Sequence, residues 1–469
     1  VLRISSNTLR PKTIQHRLSI GLKKQEELQK FKENFISPQA KILAWFIFLY
    51  FFIESGTLGL LPRQVYYVYR NVRFSDLIMY GLIIYSFFRA KEFYEYYGSK
   101  LTIIIKILFL YFSFQFIVST ILYDFNTIEY FFRLKGLWAS FMVFPYLLLM
   151  KRNGITYLIK LILPVAIVSN ILYILSSLTG IAFLPDIGIE KQNLPGGLQV
   201  YRVYGGTFFG EMFFLGFIYK WITDKFRIYQ LGLVVLFVIP HILAFGRSAW
   251  IFFSFTIVTM FILNILRKKD FKILIRQSVL IGLFIITIMY SFNKLIPQAS
   301  YLTDALEARV EQGKDDYTEE KGTYGSRLEN IKALVDLWGN SNVVFGIGMH
   351  PMWVIKPISE EENIYVWGFS DVKWASVLAA YGISGVAIAV FFQIFFFTAA
   401  FKVLKNKKHM DLFAFFTTIL ISQLMFDTLI NYTYNLFTLG LWGMSTSVSF
   451  CTAALIYSYE NIKLSIRND

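Results

Sequence analysis

Residues 241–253 read HILAFGRSAWIFF. One long apolar run ends in this stretch and another begins in it. Between them stands a single cation, Arg247, with hardly any loop. Two apolar runs joined so tightly describe a helical hairpin that crosses a bilayer core about 30 Å thick twice. The rest of the chain repeats the pattern. Its 469 residues are 56% hydrophobic and only 16% charged, a balance that few soluble domains show. Apolar runs fall at about 40–61, 74–88, 101–123, 136–150, 155–181, 207–222, 228–245, 249–266, 273–292, 372–401, 411–431 and 435–458. Each is continuous rather than alternating, which favours helices over a closed β-barrel. The expected class is an all-α polytopic membrane protein of about 12 transmembrane helices.

Charge sets the orientation. The formal net charge of +15 would suggest nucleic acid in a soluble protein. Here Lys and Arg collect in alternate loops, the pattern of the cytoplasmic side. Both termini are therefore expected in the cytoplasm, with no nucleic-acid partner. The first 35 residues are basic and polar and lack the apolar core of a signal peptide. Within them, residues 14–36 read either as an amphipathic helix on anionic lipid or as a basic tail that serves topology. A single cysteine, Cys451, permits no internal disulfide. The expected division is a basic cytoplasmic segment 1–41, spans within 42–292, a large external loop 293–371, spans within 372–459 and a cytoplasmic tail 460–469. That loop carries 13 acids against 7 bases, which suits the external side. Its stretch 325–340 predicts a helix with Ser326 as N-cap and Gly339 as stop, followed by an irregular VVFGIGM.

Ionisable groups inside apolar spans are costly and are read first as functional. On this topology Glu211, His241, Arg247, Asp371 and Asp427 fall at one depth, the outer boundary. Arg202 and Tyr204 reach the same level from the segment that leads into the sixth span. Two arginines and an imidazole beside a membrane surface suit an anionic headgroup, because guanidinium binds phosphate oxygens in bidentate fashion and keeps its charge. Each residue also has a plainer reading. Arg247 would be a headgroup anchor, Glu211 an ion-pair partner, His241 a packing histidine, His350 an ordinary loop residue, Asp427 an interhelical hydrogen bond and Asp371 an N-cap. No zinc, nucleotide or other cofactor motif is present, so no metal and no cofactor is expected.

Four stretches carry a resemblance: RVYGGTFFGE (202–211), AFGRSAWI (244–251), SRLENIKALVDLWGNSNVVFGIGM (326–349) and SDVKWASVLAAYGISGV (370–386). In order and spacing they resemble the O-antigen ligase and O-antigen polymerase (Wzy-like) family. The corresponding residues are Arg202, Gly246-Arg247-Ser248, Arg327 with Gly346 and Gly348, and Ser370-Asp371 with Gly382 and Gly385. The resemblance implies a metal-independent glycosyltransferase in the bacterial inner membrane. Its substrates would be polyprenyl-diphosphate-linked oligosaccharides at the outer face, with membrane lipids, a chain-length regulator and a flippase as associates. Arg202, Arg247 and Arg327 would hold the diphosphate. Asp371, then Glu211, then His350 would serve as base. His241, Tyr204 and Asp427 are secondary candidates. Ligases of the family usually carry His-Asn or His-Ser where this chain has Ser370-Asp371. That departure favours a polymerase of surface polysaccharide over a ligase acting on lipid A core. A flippase or transporter without covalent chemistry and an envelope scaffold are the readings from other classes.

Overall fold

The computed structural model describes residues 36–54, 67–69, 72–97, 99–123, 131, 138–183, 188–193, 199–204, 209–223, 228–243, 247–268, 279, 317–319, 322–348, 373–405, 411–429 and 446–468. The helices are α1 Pro38–Glu54, α2 Phe74–Phe88, α3 Tyr94–Tyr97, α4 Lys100–Tyr123, α5 Val143–Lys151, α6 Ile155–Thr179 and α7 Gly210–Thr223. They continue with α8 Ile228–Leu243, α9 Arg247–Lys268, α10 Gly322–Gly339, α11 Lys373–Lys405, α12 Asp411–Leu429 and α13 Thr446–Asn468. By length and composition, Ile155–Thr179 and Trp374–Lys405 are long and apolar enough to cross a membrane, and six shorter apolar helices accompany them. The architecture fits a helical membrane protein. The ninth expected span, the N-terminal amphipathic segment, and His350 and Asp371 lie outside the described residues.

The class needs one amendment. Two short antiparallel hairpins accompany the helices: β1 Tyr67–Tyr69 with β2 Val72–Arg73, and β3 Gly188–Asn193 with β4 Gln199–Tyr204. The second hairpin docks on the end of α6. Gly180 closes that helix with φ 71°, and its N–H donates to the Ser176 carbonyl at 2.9 Å. A Cβ on Gly180 would stand 2.5 Å from the Tyr201 ring, so glycine is required twice over, by backbone and by space. The loop helix also differs from expectation. It starts at Gly322, so Ser326 lies inside it and is not its N-cap. Gly339 is its last residue.

Apolar residues face both inward and outward, as they do when the surrounding medium is apolar too. A core of buried Leu, Phe, Tyr and Ala side chains runs through α1, α5, α7, α11, α12 and α13. Ile121 and Phe88 remain 75% and 83% exposed on the outside. Exposed apolar area on this scale is unusual for a soluble monomer.

Contacts define two ends of the bundle. At one end, Arg152 bonds Glu92 at 2.6 Å and donates to the Tyr85 hydroxyl at 3.2 Å, while Lys151 meets Glu95 at 2.9 Å. There the Tyr96 hydroxyl donates to Asn461 at 2.7 Å. Burial lowers the proton affinity of Arg152, but the hydrogen bonds and charges of Tyr85 and Glu92 together outweigh it, and the guanidinium stays above its ordinary pKa. At the other end, the Ser75 hydroxyl donates to Glu54 at 2.6 Å and the Arg73 N–H donates to Asp76 at 2.8 Å. The Phe51 and Phe209 rings meet there at 4.8 Å, which brings the start of α7 to this second end.

Candidate active site

The candidate residues sit on helices that alternate in direction. α7 leaves the second end and α8 returns to it. Tyr219, late in α7, contacts Phe415, early in α12, with ring centroids 5.4 Å apart. This contact joins the last turn of α7 to the first turn of α12. The described part of Asp427 is its backbone position in α12.

Glu211 has an unusual placement. On a helix of 3.6 residues per turn it shares a face with Phe214, Leu215, Ile218 and Ile222. All four of those side chains are buried against neighbouring helices, yet Glu211 is exposed. The carboxylate keeps exposed surface while protein groups crowd around it, so it lines a recess at this level. The approach to it is strained. Phe209 has φ 50°, a left-handed conformation that bulky residues rarely adopt, and its carbonyl accepts the Phe213 N–H at 3.1 Å. Strain of this kind costs about 1–3 kcal/mol and persists only where packing holds it. Here the Phe51 ring holds it.

His241 sits deeper in the packing. Its ring stands edge-on to Phe253 at 4.7 Å, and Phe253 in turn meets Phe214 at 5.4 Å. Its Nε2 is buried with no hydrogen-bond partner among the described residues. The Trp250 indole donates to the His241 carbonyl at 2.8 Å and ties the end of α8 to the start of α9. Arg247 is the first residue of α9. Arg202 occupies β4 directly opposite Glu190, and Tyr204 lies opposite Gly188. Arg327 is half-buried on α10, with its Nε and Nη1 enclosed. Among the described residues no three His, Cys, Asp or Glu side chains converge as metal ligands.

The glycines of the loop have a structural answer. α11 breaks at Gly382, where φ is 63° and ψ is −161°. The segment after α10 fills the break. The N–H groups of Ile347 and Gly348 donate to the carbonyls of Ala379 and Ala380 at 2.9 and 2.8 Å. In return, the N–H groups of Ile383 and Ser384 donate to the carbonyls of Val343 and Val344 at 3.1 and 3.0 Å. Backbone groups freed at a helix break in an apolar medium need such partners. A Cβ on Gly346 would stand 2.5 Å from the Ala379 carbonyl, and one on Gly382 would stand 2.5 Å from Val344. The two glycines thus allow one backbone to lie against the other. From α4, the Tyr111 hydroxyl reaches the Tyr381 carbonyl at 3.1 Å and the Ser384 hydroxyl at 2.8 Å, with Gln115 donating to it at 3.1 Å. The glycine spacing was visible in the sequence. The pairing of Gly346 with Gly382, 36 residues on, and the role of Tyr111, were not.

A family model described as O-antigen ligase matches residues 231–390. The match takes in α8, α9, α10 and most of α11, and therefore His241, Arg247, Arg327, His350 and Asp371. It leaves out Arg202, Tyr204, Glu211 and Asp427. Comparison with curated proteins gives no match. The matched third of the chain supports its assignment, across residues 231–390, to the O-antigen ligase/Wzy-like family of surface polysaccharide assembly.

Proposed function

We propose that the protein is a polymerase of polyprenyl-diphosphate-linked oligosaccharide repeat units, working at the outer face of a bacterial inner membrane. The observation that carries this reading is the exposed Glu211 on the inward face of α7, at the bundle end where α8 and α9 of the matched domain meet. Arg247 and Arg202 neutralise the donor diphosphate and stabilise it as it leaves, and Arg327 assists from α10. A carboxylate takes the proton of the acceptor hydroxyl. Asp371 and Glu211 are the two carboxylates for that role, with His350 as the imidazole alternative. The bond from the anomeric carbon to the diphosphate oxygen breaks, and a glycosidic bond to the acceptor oxygen forms. The lipid diphosphate leaves with its charge held by guanidinium groups, so no metal is required by this scheme.

Ser370-Asp371, in place of the His-containing pair usual in ligases, favours the polymerase over the ligase. A deletion strain complemented with wild type or with Arg247→Ala tests both. The proposal expects a polysaccharide ladder from wild type and single repeats from the variant. Full-length polymer left unattached in the deletion strain would instead identify a ligase. A wild-type ladder from Arg247→Ala would remove the arginine from the site.

A further inference from the structure

The turn 343–347 lies against the side of α4, away from both ends of that helix. The Phe114 and Phe345 rings meet at 6.2 Å, and one turn along α4 the Tyr111 hydroxyl reaches the break in α11 that the segment fills. α4 also supplies a ruler for depth. Ile103, Ile107, Leu110, Phe114, Ile117 and Ile121 are exposed, and their intervals of four and three residues place them on one face of the helix. At 1.5 Å per residue that apolar face is about 27 Å long, close to a hydrocarbon core about 30 Å thick. By the same rise, Phe345 meets it about 10 Å inside the Ile121 end.

We infer that 343–347 is a re-entrant turn set in the hydrocarbon of one leaflet, where Val343, Val344 and Phe345 contact lipid acyl chains. In the orientation of the proposed function this is the outer leaflet. Depth is the first support. The second is the surface that the turn presents. Three consecutive apolar side chains, Val343, Val344 and Phe345, are 44%, 51% and 45% exposed, an arrangement that water disfavours and acyl chains accept. Through Phe345 and Phe114 this surface is continuous with the apolar face of α4. The third support is the backbone. Irregular backbone stands at membrane depth only where protein or enclosed water satisfies its polar groups. Here every N–H from Val344 to Gly348 is bonded within the protein. Val344 and Phe345 donate to Asn342 Oδ1 at 3.0 Å each, Gly346 donates to the Asn342 carbonyl at 2.6 Å, and Ile347 and Gly348 donate to α11. The Val343 carbonyl accepts from the Ile383 N–H and from the Trp338 indole at 3.0 Å. Part of the loop expected to be wholly external thus enters the membrane, and Trp338 ties α10, the helix of Arg327, to it. The inference rests on the helices crossing a bilayer and not on the proposed reaction.

The test uses the full chain with Cys451→Ala, reconstituted in vesicles of phosphatidylethanolamine and phosphatidylglycerol. A nitroxide is attached to Val344→Cys. Its collisions with oxygen, which concentrates in hydrocarbon, are compared with its collisions with a water-soluble nickel chelate. Ile117→Cys on α4 and Asp336→Cys on α10, both exposed, are the lipid and water references. The label at 344 is expected to favour oxygen over nickel as the label at 117 does. Nickel access equal to that at 336 overturns the inference by placing the turn in water. Poor access to both reagents also overturns it, by showing that protein covers the turn. Val343→Cys repeats the measurement at a second exposed position, so the result does not hang on one variant. An unfolding midpoint equal to that of the Cys451→Ala chain checks that each label leaves packing intact.

Discussion

Replacing Gly382 by alanine tests the account of the broken helix. The native φ of 63° and ψ of −161° belong to a region that glycine alone occupies readily. Forcing alanine there costs about 1–3 kcal/mol. The new methyl would also stand 2.5 Å from the carbonyl carbon and oxygen of Val344 and 2.7 Å from the Gly346 nitrogen. All three are backbone atoms and cannot rotate away. The segment 343–348 must then move off α11, which breaks the four hydrogen bonds at Ile347, Gly348, Ile383 and Ser384. At about 0.5–1.5 kcal/mol each, their loss adds about 2–6 kcal/mol. The expected total is at least about 3 kcal/mol. The assay is the unfolding of the purified chain in detergent, with Gly232→Ala as reference. Gly232 is exposed on α8, a Cβ there meets nothing within 4 Å, and the reference should stabilise by about 0.5–1 kcal/mol. If Gly382→Ala and Gly232→Ala unfold alike, the segment does not lie in the break as described.

Further outcomes follow from the same contacts. Tyr111→Phe removes the hydroxyl at Tyr381 and Ser384 and should lower stability by about 1–2 kcal/mol, read from the same unfolding curve. Arg152→Met leaves Glu92 without its 2.6 Å partner at the ion-paired end and should cost about 1–3 kcal/mol, with proteolysis near residues 89–97 rising in step. Phe209→Gly relieves about 1 kcal/mol of backbone strain but loses the ring against Phe51, about 1.5–3 kcal/mol of burial. A net loss of stability is expected, and a gain would show that the strain outweighs the packing. Glu211→Gln removes a charge crowded by protein groups and should not lower stability, while transfer falls about 10²–10⁴-fold if its carboxylate acts as the base.

Different parts of this molecule were legible to different degrees. The apolar run 74–88 became a helix with those bounds, and runs 101–123 and 228–245 came within two residues of theirs, because length and hydropathy are local properties. Arg247, expected in the turn between two spans, is instead the first residue of α9. The β3–β4 hairpin was not read. The alternation of QVYRVY signalled a strand, but the neighbouring apolar run led the segment to be read as an approach to a span. Ser326 reads as an N-cap because it stands just before an apolar stripe, but the helix starts one turn earlier, at Gly322, and docks on α11. The fit of Gly346 against Gly382 is a long-range pairing and leaves no period in either segment. Glu211 was legible in the sequence only by its depth in the span, and its exposure depends on where the neighbouring helices stop.

The most direct test of the proposed activity is reconstitution. The purified full chain, in vesicles with lipid-linked repeat units and no nucleotide or ion gradient, is assayed for chain growth by gel. Wild type is expected to produce a ladder with release of lipid diphosphate, and Arg247→Ala and Glu211→Gln to leave single repeats. Absence of both chain growth and diphosphate release from the wild-type protein would contradict the account.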